Sequence, residues 1–237
     1  MTDISILVPT FNRRKFLPLL LRNLKIQDYP HDKLEVIIDD DGENKLILDN
    51  EIQDIKNHLS PMKLTYINNK KKRSIGKKRN DLVKSANSKV IAFMDDDDIY
   101  FPTYLSYSYG VMKDNKVSCV GCDKMLFTMS DKDWEMYMID CGNQKRLIHE
   151  ATMVMTKKFH RASQGFDNSN QGEGNSLFFG MENQVKITED ILKIMCCIQH
   201  SENTIDKLQF AKEELKVEMK MDSNLKNILE NILKNKI

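Results

Sequence analysis

"VIAFMDDDDIY", residues 90–100, joins five apolar residues to four consecutive aspartates. A short, continuous apolar run of this kind predicts a strand that is buried on both faces of a sheet. Adjacent carboxylates repel one another, and a folded chain rarely tolerates four of them without a counter-charge. The stretch therefore predicts a buried strand whose carboxyl end lies beside positive charge.

Similar apolar segments alternate with helical patterns through the first hundred residues. The apolar runs predict strands, and apolar residues that repeat at helical spacing predict the helices between them. The predicted strands are 4–9, 34–38, 63–68 and 90–94, and the predicted helices are 17–27, 43–59 and 75–86. This alternation indicates an α/β fold with a Rossmann-like, mostly parallel central sheet and helices on both faces.

The pattern changes after this first part of the chain. Residues 119–129 and 133–141 predict strands of a more mixed sheet, and residues 163–176 form a polar loop that contains glycines. Residues 191–199 predict a buried strand, with a helix as the alternative. The second half is therefore expected to form a mixed sheet, unlike the first.

The C-terminal segment, from Thr204 onward, is predicted to be helical. Its apolar stripe consists of Leu225, Ile228, Leu229, Ile232 and Leu233. We expect this stripe to pack on the body, with a homodimer contact through the C-terminal helices as the alternative. No linker rich in glycine, serine or proline interrupts the chain, so residues 1–203 are predicted to be one domain and residues 204–237 a helical extension.

Composition narrows the class of protein. The 237 residues are 41% apolar and 30% charged, with a net charge of +1. These values are typical of an ordinary globular protein, and the small net charge argues against nucleic acid as a partner. No apolar run is long enough to predict a transmembrane helix, and the N-terminus lacks the features of a signal peptide.

The number of cysteines indicates in which cellular compartment the protein is expected. The chain has five, an odd number, which favours reduced thiols and a cytoplasmic location. Cys119 and Cys122 have the spacing of half a zinc site, but no second pair at zinc spacing follows, so buried thiols are the favoured interpretation.

Polar clusters follow each predicted strand of the first half. In open α/β sheets, ligands bind beyond the carboxyl ends of the strands. The clusters begin at Thr10, Asp39, Asn68 and Asp95. The four clusters are therefore expected to meet at one edge of the sheet and form a binding site there.

The four aspartates suit a divalent cation. A solvated turn that caps the predicted helix 102–112 would need a single aspartate. The Asp-x-Asp spacing places alternate carboxylates on one side of an extended strand end, where both can face Mg²⁺ or Mn²⁺. Asp95 and Asp97 form one such pair, and Asp96 and Asp98 form the other. Asp97 is the first choice as a metal ligand and Asp95 the second, whereas Asp98 is expected to cap or support its neighbours.

Two further segments carry charge. Residues 39–41 form a second acidic strand end, which is either a tight turn at Gly42 or a hydrogen-bond acceptor for a nucleobase. Residues 68–81 hold seven basic side chains, most of which are expected in a solvated loop. Arg79 is the exception, because it lies on the helix that leads into the 90–94 strand. It is expected near a diphosphate or beside the aspartates.

Four segments in order resemble the motifs of glycosyltransferase family 2, whose members are inverting enzymes with the GT-A fold. They are "ISILVPTFNRR" (4–14), "LEVIIDDDGE" (34–43), "SIGKKRND" (74–81) and "VIAFMDDDD" (90–98) followed by Pro102. The resemblance extends from residue 4 to about residue 105. It implies that residues 1–100 are the nucleotide-binding half and residues 101–203 the acceptor-binding half.

The resemblance also implies a nucleotide site. Pro9, Thr10 and Phe11 would wall the base, and Asp40 or Asp41 would accept a hydrogen bond from it. Asp39 is an additional acid where the family usually has an apolar residue. The implied nucleotide-binding residues are Pro9, Thr10, Phe11, Asn12, Asp40, Asp41, Arg79, Asp95 and Asp96, with Asp95 nearer the ribose.

The resemblance implies metal ligands and a general base as well. The implied metal ligands are Asp97, Asp95 and His200, although a lone histidine at a strand end is ordinarily a hydrogen-bonding residue. The base is expected in "QGEGN" (171–175) as Glu173, although Gly174 stands where a second acid is usual. Asp190 and Glu150 are the alternatives. Trp134 is expected to pack in the core or to stack on an acceptor sugar.

The predicted function is metal-dependent, inverting sugar transfer, with Mn²⁺ or Mg²⁺ as the cofactor. The donor would be a nucleotide-sugar, most simply a UDP-sugar. The acceptor would be a hydroxyl of a glycan, a protein or a small molecule, in glycan synthesis. A sugar-1-phosphate nucleotidyltransferase is one alternative, but it would need a glycine-rich loop where this chain has "PTFNRR" (9–14). A non-enzymatic nucleotide- or nucleic-acid-binding module is the other.

Overall fold

A computed structural model describes residues 2–200, 215–219 and 221–234. The strands are β1 Ile4–Thr10, β2 Leu34–Asp40, β3 Lys63–Asn68, β4 Val90–Phe93, β5 Ile99–Tyr100, β6 Cys119–Gly121, β7 Lys124–Met129, β8 Met136–Asp140, β9 Val154–Thr156, β10 Val185–Ile187, β11 Met195–Gln199 and β12 Lys216–Val217. The α-helices are α1 Leu17–Lys25, α2 Ile52–Leu59, α3 Ile75–Ser85, α4 Tyr104–Asp114, α5 Lys157–Ala162 and α6 Ser223–Lys234.

The larger sheet has seven strands in the order β3-β2-β1-β4-β9-β6-β10. β1 to β4 pair in parallel, and β9 runs antiparallel to both of its neighbours. The register pairs Thr10 with Asp40 and Asp40 with Asn68, so β1, β2 and β3 end level with one another. The mostly parallel sheet is confirmed, and the polar strand ends lie along one edge.

Side chains of the central strands divide between two apolar layers because successive residues point to opposite faces. Ile6 and Val8 of β1 join a core formed with α1, α2, α4 and α6. Leu7 instead joins a second core, which includes Leu82 of α3 and Phe159 of α5. Every residue of β1, β2 and β4 is buried. These continuous apolar strands are therefore covered on both faces, as the sequence pattern predicted.

The smaller sheet has five strands in the order β12-β8-β7-β11-β5. It is mixed, because β11 runs parallel to β7 and antiparallel to β5. β5 begins directly after Asp98, so this sheet brings β11 beside the acidic end of β4. The strand predicted over 191–199 is present as β11, preceded by one 3-10 turn at Ile191–Lys193.

The helix predicted over 43–59 is wrong in its first half. A 3-10 turn covers Asp49–Glu51 and the α-helix begins only at Ile52. Ile47 satisfies the helical spacing, yet it is buried in a loop, as is its neighbour Leu46. The loop is stable because backbone N–H groups bond to the Asp40 carboxylate, which offers the chain an alternative to helical hydrogen bonds.

The prediction of a continuous helix from Thr204 to the C-terminus is also wrong in the residues that the structure describes. Residues 201–214 lie outside the described residues, and Lys216–Val217 form β12, which pairs with β8. α6 follows, and Leu225, Leu229 and Ile232 are buried in the core shared with α1. The expected packing of this stripe on the body is therefore present. The homodimer contact and the domain boundary at residue 203 stay predictions.

No helix in the described part of the chain is both long enough and apolar enough to cross a membrane. Cys119 and Cys122 are thiols without a disulfide, and both are buried. Burial raises the pKa of the Cys119 thiol. Trp134 is also buried and packs in the larger core, which agrees with the expectation that it is a core residue.

Candidate active site

A cavity of about 700 Å³ lies beyond the carboxyl ends of β1 and β4. One wall comes from the turn after β1, another from the start of α3, and a third from the 163–176 loop. Among the sequence-predicted site residues, the cavity is lined by Pro9, Thr10, Phe11, Asn12, Arg79, Asp95, Asp96, Asp97, Glu150 and Glu173. Residues from distant parts of the chain therefore meet at one site.

Asp95 and Asp97 face this cavity. The Asp95 carboxylate accepts a hydrogen bond of 3.1 Å from Nη2 of Arg79. The Asp97 carboxylate lies 3.3 Å from Nε of Arg13 and 3.1 Å from Nε2 of His200. The two aspartate side chains are 20% and 16% exposed. Asp95 and Asp97 are thus the more exposed pair of the four aspartates that border the cavity.

Asp96 and Asp98 also border the cavity, but both are buried. Asp96 accepts a hydrogen bond from the Thr10 hydroxyl. Burial raises the pKa of Asp96 well above its ordinary value, and the negative charge of Asp97 raises it further. Asp98 accepts a 3.0 Å bond from the backbone N–H of Ile198 in β11. Asp98 therefore supports the strand beside it, as the sequence indicated.

The acidic end of β2 faces the protein interior. Asp41 accepts bonds of 2.7 Å from Nζ of Lys78 and from the backbone N–H of Arg73. Asp39 lies 2.5 Å from Nη2 of Arg73. Two basic side chains thus neutralise this cluster, and the additional acid at Asp39 is accounted for by its ion pair with Arg73.

Asp40 has a different set of partners. Its carboxylate accepts bonds from the backbone N–H groups of Gly42 (2.9 Å) and Leu46 (2.7 Å) and from the Tyr66 hydroxyl (2.5 Å). Neither Asp40 nor Asp41 lines the cavity, and both are buried. Both carboxylates stabilise the loop and the start of α3. The expectation that one of them accepts a hydrogen bond from the nucleobase stays a prediction.

The basic segment before and within α3 is only partly solvated. Lys70 and Lys71 are exposed, whereas Lys78 and Arg79 are buried. Sequence reasoning missed Lys78, although its spacing of four residues from the buried Leu82 placed it on the inner face of the helix. It also missed Arg13, whose neighbour Arg14 turns away to bond with Glu51.

Glu173 is 5% exposed and lies at the cavity wall. Its Oε1 accepts a 3.0 Å bond from Nε of Arg79, the same guanidinium that holds Asp95. Burial raises the pKa of Glu173, the Arg79 charge opposes that rise, and the nearby Glu150 carboxylate adds to it. Glu150 accepts a 3.0 Å bond from the backbone N–H of Gly174. Two acids and one arginine thus share this corner of the site.

Asp190 is not part of this arrangement. Its Oδ1 accepts a 3.1 Å bond from the backbone N–H of Leu192 and caps the 3-10 turn before β11. It does not line the cavity, and its alternative role as the general base stays a prediction. The acid of "TED" (188–190) fulfils the ordinary capping role of an aspartate.

The expected metal ligands are only partly brought together. Within residues 2–200, 215–219 and 221–234, no three acidic, histidine or cysteine side chains are arranged as a metal-binding group. Asp97 and His200 remain as a close pair, and the His200 ring packs on Phe16 with 4.9 Å between centroids. Asp95 is directed to Arg79 instead.

The sheet order, the small mixed sheet and a cavity at the carboxyl end of β4 define a glycosyltransferase domain of the GT-A type. The sequence profile described as Glycosyl transferase family 2 matches residues 5–177. The chain therefore belongs to glycosyl transferase family 2.

The chain is also similar to individual proteins. It is 32% identical over 98 residues to the poly(ribitol-phosphate) beta-N-acetylglucosaminyltransferase TarS of Staphylococcus aureus, a match that covers 41% of this chain and 17% of TarS. Among solved structures, TarS 1–349 superposes with a TM-score of 0.63 at 16% identity, covering 83% of this chain and 60% of the other.

A mannosyltransferase from Pyrobaculum calidifontis, solved in complex with GDP-Man and Mn²⁺, superposes with a TM-score of 0.61 at 16% identity. That match covers 83% of this chain and 56% of the mannosyltransferase. The chain thus spans less than two thirds of the length of these relatives. At such identities, the structural likeness establishes the fold.

Proposed function

We propose that this protein is a metal-dependent, inverting glycosyltransferase that uses a nucleotide-diphosphate sugar, with a UDP-sugar favoured. The observation that carries the proposal is that one cavity is lined by Asp95, Asp97 and the buried acid Glu173. Family membership supports sugar transfer as the reaction. A structure of TarS in complex with UDP-GlcNAc, with a TM-score of 0.60, supports a UDP-linked donor.

Asp97 and His200 are the residues that would hold the cation. A carboxylate oxygen and an imidazole nitrogen 3.1 Å apart form a donor set that suits Mn²⁺, and two protein ligands leave positions for phosphate oxygens. When bound, the cation supplies Lewis-acid stabilisation of the leaving diphosphate. Arg13 lies against the same carboxylate and adds fixed positive charge there.

The turn after β1 would bind the nucleotide. Pro9 and Phe11 offer an apolar wall to the base, and Nζ of Lys72 lies 4.1 Å from the centroid of the Phe11 ring. Asn12 holds the neighbouring loop by accepting a 2.9 Å bond from the backbone N–H of Asn44. Asp95, fixed by Arg79, is the acceptor we assign to the ribose.

Glu173 is the residue we assign as the general base. A base must be deprotonated to take the proton of the acceptor hydroxyl, and a pKa raised by burial brings its proton affinity closer to that task. Arg79 orients the carboxylate through Oε1. Because the deprotonated form is required, transfer is expected to be lost as the pH falls through a pKa above the ordinary glutamate value.

Binding and transfer test these assignments separately. The double variant Asp95→Asn/Asp97→Asn should abolish Mn²⁺-dependent binding of UDP measured by calorimetry. Unchanged binding would reject the proposed donor site.

Glu173→Gln should keep UDP binding and lower the transfer rate by about 10²–10⁴-fold. A retained rate would exclude Glu173 as the base. A screen of UDP-, GDP- and dTDP-sugars with Mn²⁺ identifies the donor.

A further inference from the structure

The loop that carries Glu173 lies across the first turn of α3. The first N–H groups of a helix have no partner within the helix and need one from elsewhere. In α3 the loop supplies them: the N–H of Gly76 donates to the Ser169 carbonyl (3.1 Å), and the N–H of Ile75 donates to Oδ1 of Asn170 (3.0 Å). The start of the helix is thus completed by residues about ninety positions later in the chain.

A second attachment lies one turn further along the same helix. The side-chain amide of Asn80 donates to the Phe166 carbonyl (2.8 Å) and accepts from the Phe166 N–H (3.0 Å). The loop is therefore attached to α3 before and after residue 167. Arg79, on the turn between these attachments, reaches Glu173 itself.

Gly76 lies at a close contact between the helix and the loop. A Cβ atom at this position would be 1.8 Å from the Asp167 carbonyl oxygen and 3.0 Å from Cβ of Glu173. Asp167 is in turn bonded to the backbone of Glu173, because its N–H donates to the Glu173 carbonyl at 2.7 Å. Backbone atoms cannot yield as the end of a flexible side chain can. Any side chain at position 76 must therefore displace the segment that carries Glu173.

Gly76 has no conformational reason to be glycine, because it lies in the helix and its φ is not positive. Within a helix, glycine is less favourable than alanine. The absence of a side chain therefore serves the contact with the loop rather than the helix. Gly76 sets how closely the Glu173 segment can approach Arg79.

We propose that Gly76 is a positioning residue for Glu173. Because the first turn of α3 has no side chain at position 76, residues 166–175 can pack against it, and this contact fixes the Glu173 carboxylate at the cavity wall. This inference rests on the proposed role of Glu173 as the base. In this proposal α3 has a second role besides its ion pairs. It fixes the position of the acceptor side of the site relative to the donor side.

Gly76→Ala tests the proposal, and Gly110→Ala is the matched control. Gly110 is also a helical glycine, in α4, but a Cβ there would meet nothing within 4 Å. We expect Gly76→Ala to lower kcat by about 10²-fold, as a misplacement of about 1 Å does. The dissociation constant for UDP with Mn²⁺ should stay within about twofold. Gly110→Ala should leave both values unchanged.

The pH profile gives a readout that general destabilisation would not move. Burial raises the pKa of Glu173, so a displaced, more exposed carboxylate should move the acidic limb of kcat/KM to lower pH in Gly76→Ala. Hydrogen exchange should also become faster at residues 167–175 and stay unchanged in α4. An unchanged kcat and unchanged exchange in folded Gly76→Ala would overturn the proposal.

Asn80→Ala keeps the proposal testable if Gly76→Ala does not fold. It removes both bonds to Phe166 without introducing a clash, and it should lower kcat with unchanged UDP binding and faster exchange in the loop. Unaltered kcat and exchange in this variant would count against the proposal. Glu173→Gln in the same assay separates the two ideas. If it retains transfer, the base assignment fails, while faster loop exchange in Gly76→Ala still reports the seating of the loop.

Discussion

The acidic ends of β2 and β4 look alike in sequence and have different surroundings in the structure. Asp39–Asp41 are buried and have their partners within the protein: Arg73 and Lys78 pair with Asp39 and Asp41, and N–H and hydroxyl groups bond to Asp40. At the end of β4, by contrast, Asp95 and Asp97 are partly exposed to the cavity. Two clusters of one chemical type on one sheet edge therefore serve two purposes, one structural and one that we propose to be functional.

The difference arises from which elements lie beside each strand end. The end of β2 adjoins the first turn of α3 and the segment before it, which supply Lys78, Arg73 and the Arg73 N–H. The end of β4 receives Arg79 from α3 and Arg13 from the turn after β1, and the carboxylates of Asp95 and Asp97 stay partly exposed. An acidic strand end is thus a candidate ligand site only where its neighbours leave carboxylates facing solvent.

The largest effect on function is expected at the β4 end. Asp97→Asn should lower the transfer rate by about 10³-fold, since metal-based stabilisation of developing charge contributes several kcal/mol. Its free energy of unfolding should change by less than about 1 kcal/mol, because the lost ion pair with Arg13 is partly exposed and removal of the Asp97 charge relieves the buried Asp96. Transfer assays and urea unfolding measure the two quantities. A rate within tenfold of the native one would remove Asp97 from the site.

The largest effect on stability is expected at the β2 end. Lys78→Met leaves Asp41 buried beside fewer positive charges, and we expect the free energy of unfolding to fall by about 3 kcal/mol. Lys77→Met is the control on the same helix: Lys77 is 46% exposed, against 5% for Lys78, and pairs with the partly exposed Asp81. It should change stability by less than about 1 kcal/mol. Equal effects in urea unfolding would contradict the internal role of the β2 cluster.

A smaller loss of stability is expected at Tyr66. Tyr66→Phe removes the hydroxyl that donates to Asp40, leaving the two backbone donors in place. The free energy of unfolding should fall by about 1 kcal/mol, the contribution of a typical hydrogen bond. Transfer should be unaffected, because Tyr66 does not line the cavity. A large loss of transfer with intact folding would indicate that the β2 cluster takes part in donor binding after all.

The smallest effect is expected at Asp98, the member of the β4 cluster that behaves like those of β2. Asp98→Asn retains an oxygen that can accept the bond from the Ile198 N–H. The free energy of unfolding should therefore change by only about 0.5 kcal/mol. The transfer rate should remain within about threefold of the native value, a difference of under 1 kcal/mol. The same substitution at positions 97 and 98 thus compares a carboxylate that is partly exposed to the cavity with one that is buried. Similar losses of transfer at both would show that orientation does not separate them.

Much of the fold could be predicted because its signals are local. The apolar runs at 4–9, 34–38 and 90–94 each became a strand, and parallel strands necessarily bring their carboxyl ends to one edge. The helix predicted over 43–59 began too early for a local reason as well. A nearby carboxylate, Asp40, offered its backbone N–H groups better partners than a helix would.

The sequence by itself determined the parallel sheet, the edge that carries the site and the candidate residues gathered there. Only the tertiary structure decided which carboxylates face the cavity. The partners that decide it are far apart in the chain: Lys78 lies 37 residues from Asp41, and Arg79 lies 94 residues from Glu173. Periodicity reports the burial of a residue's own segment, whereas the neutralisation of a charge depends on which other segment folds against it.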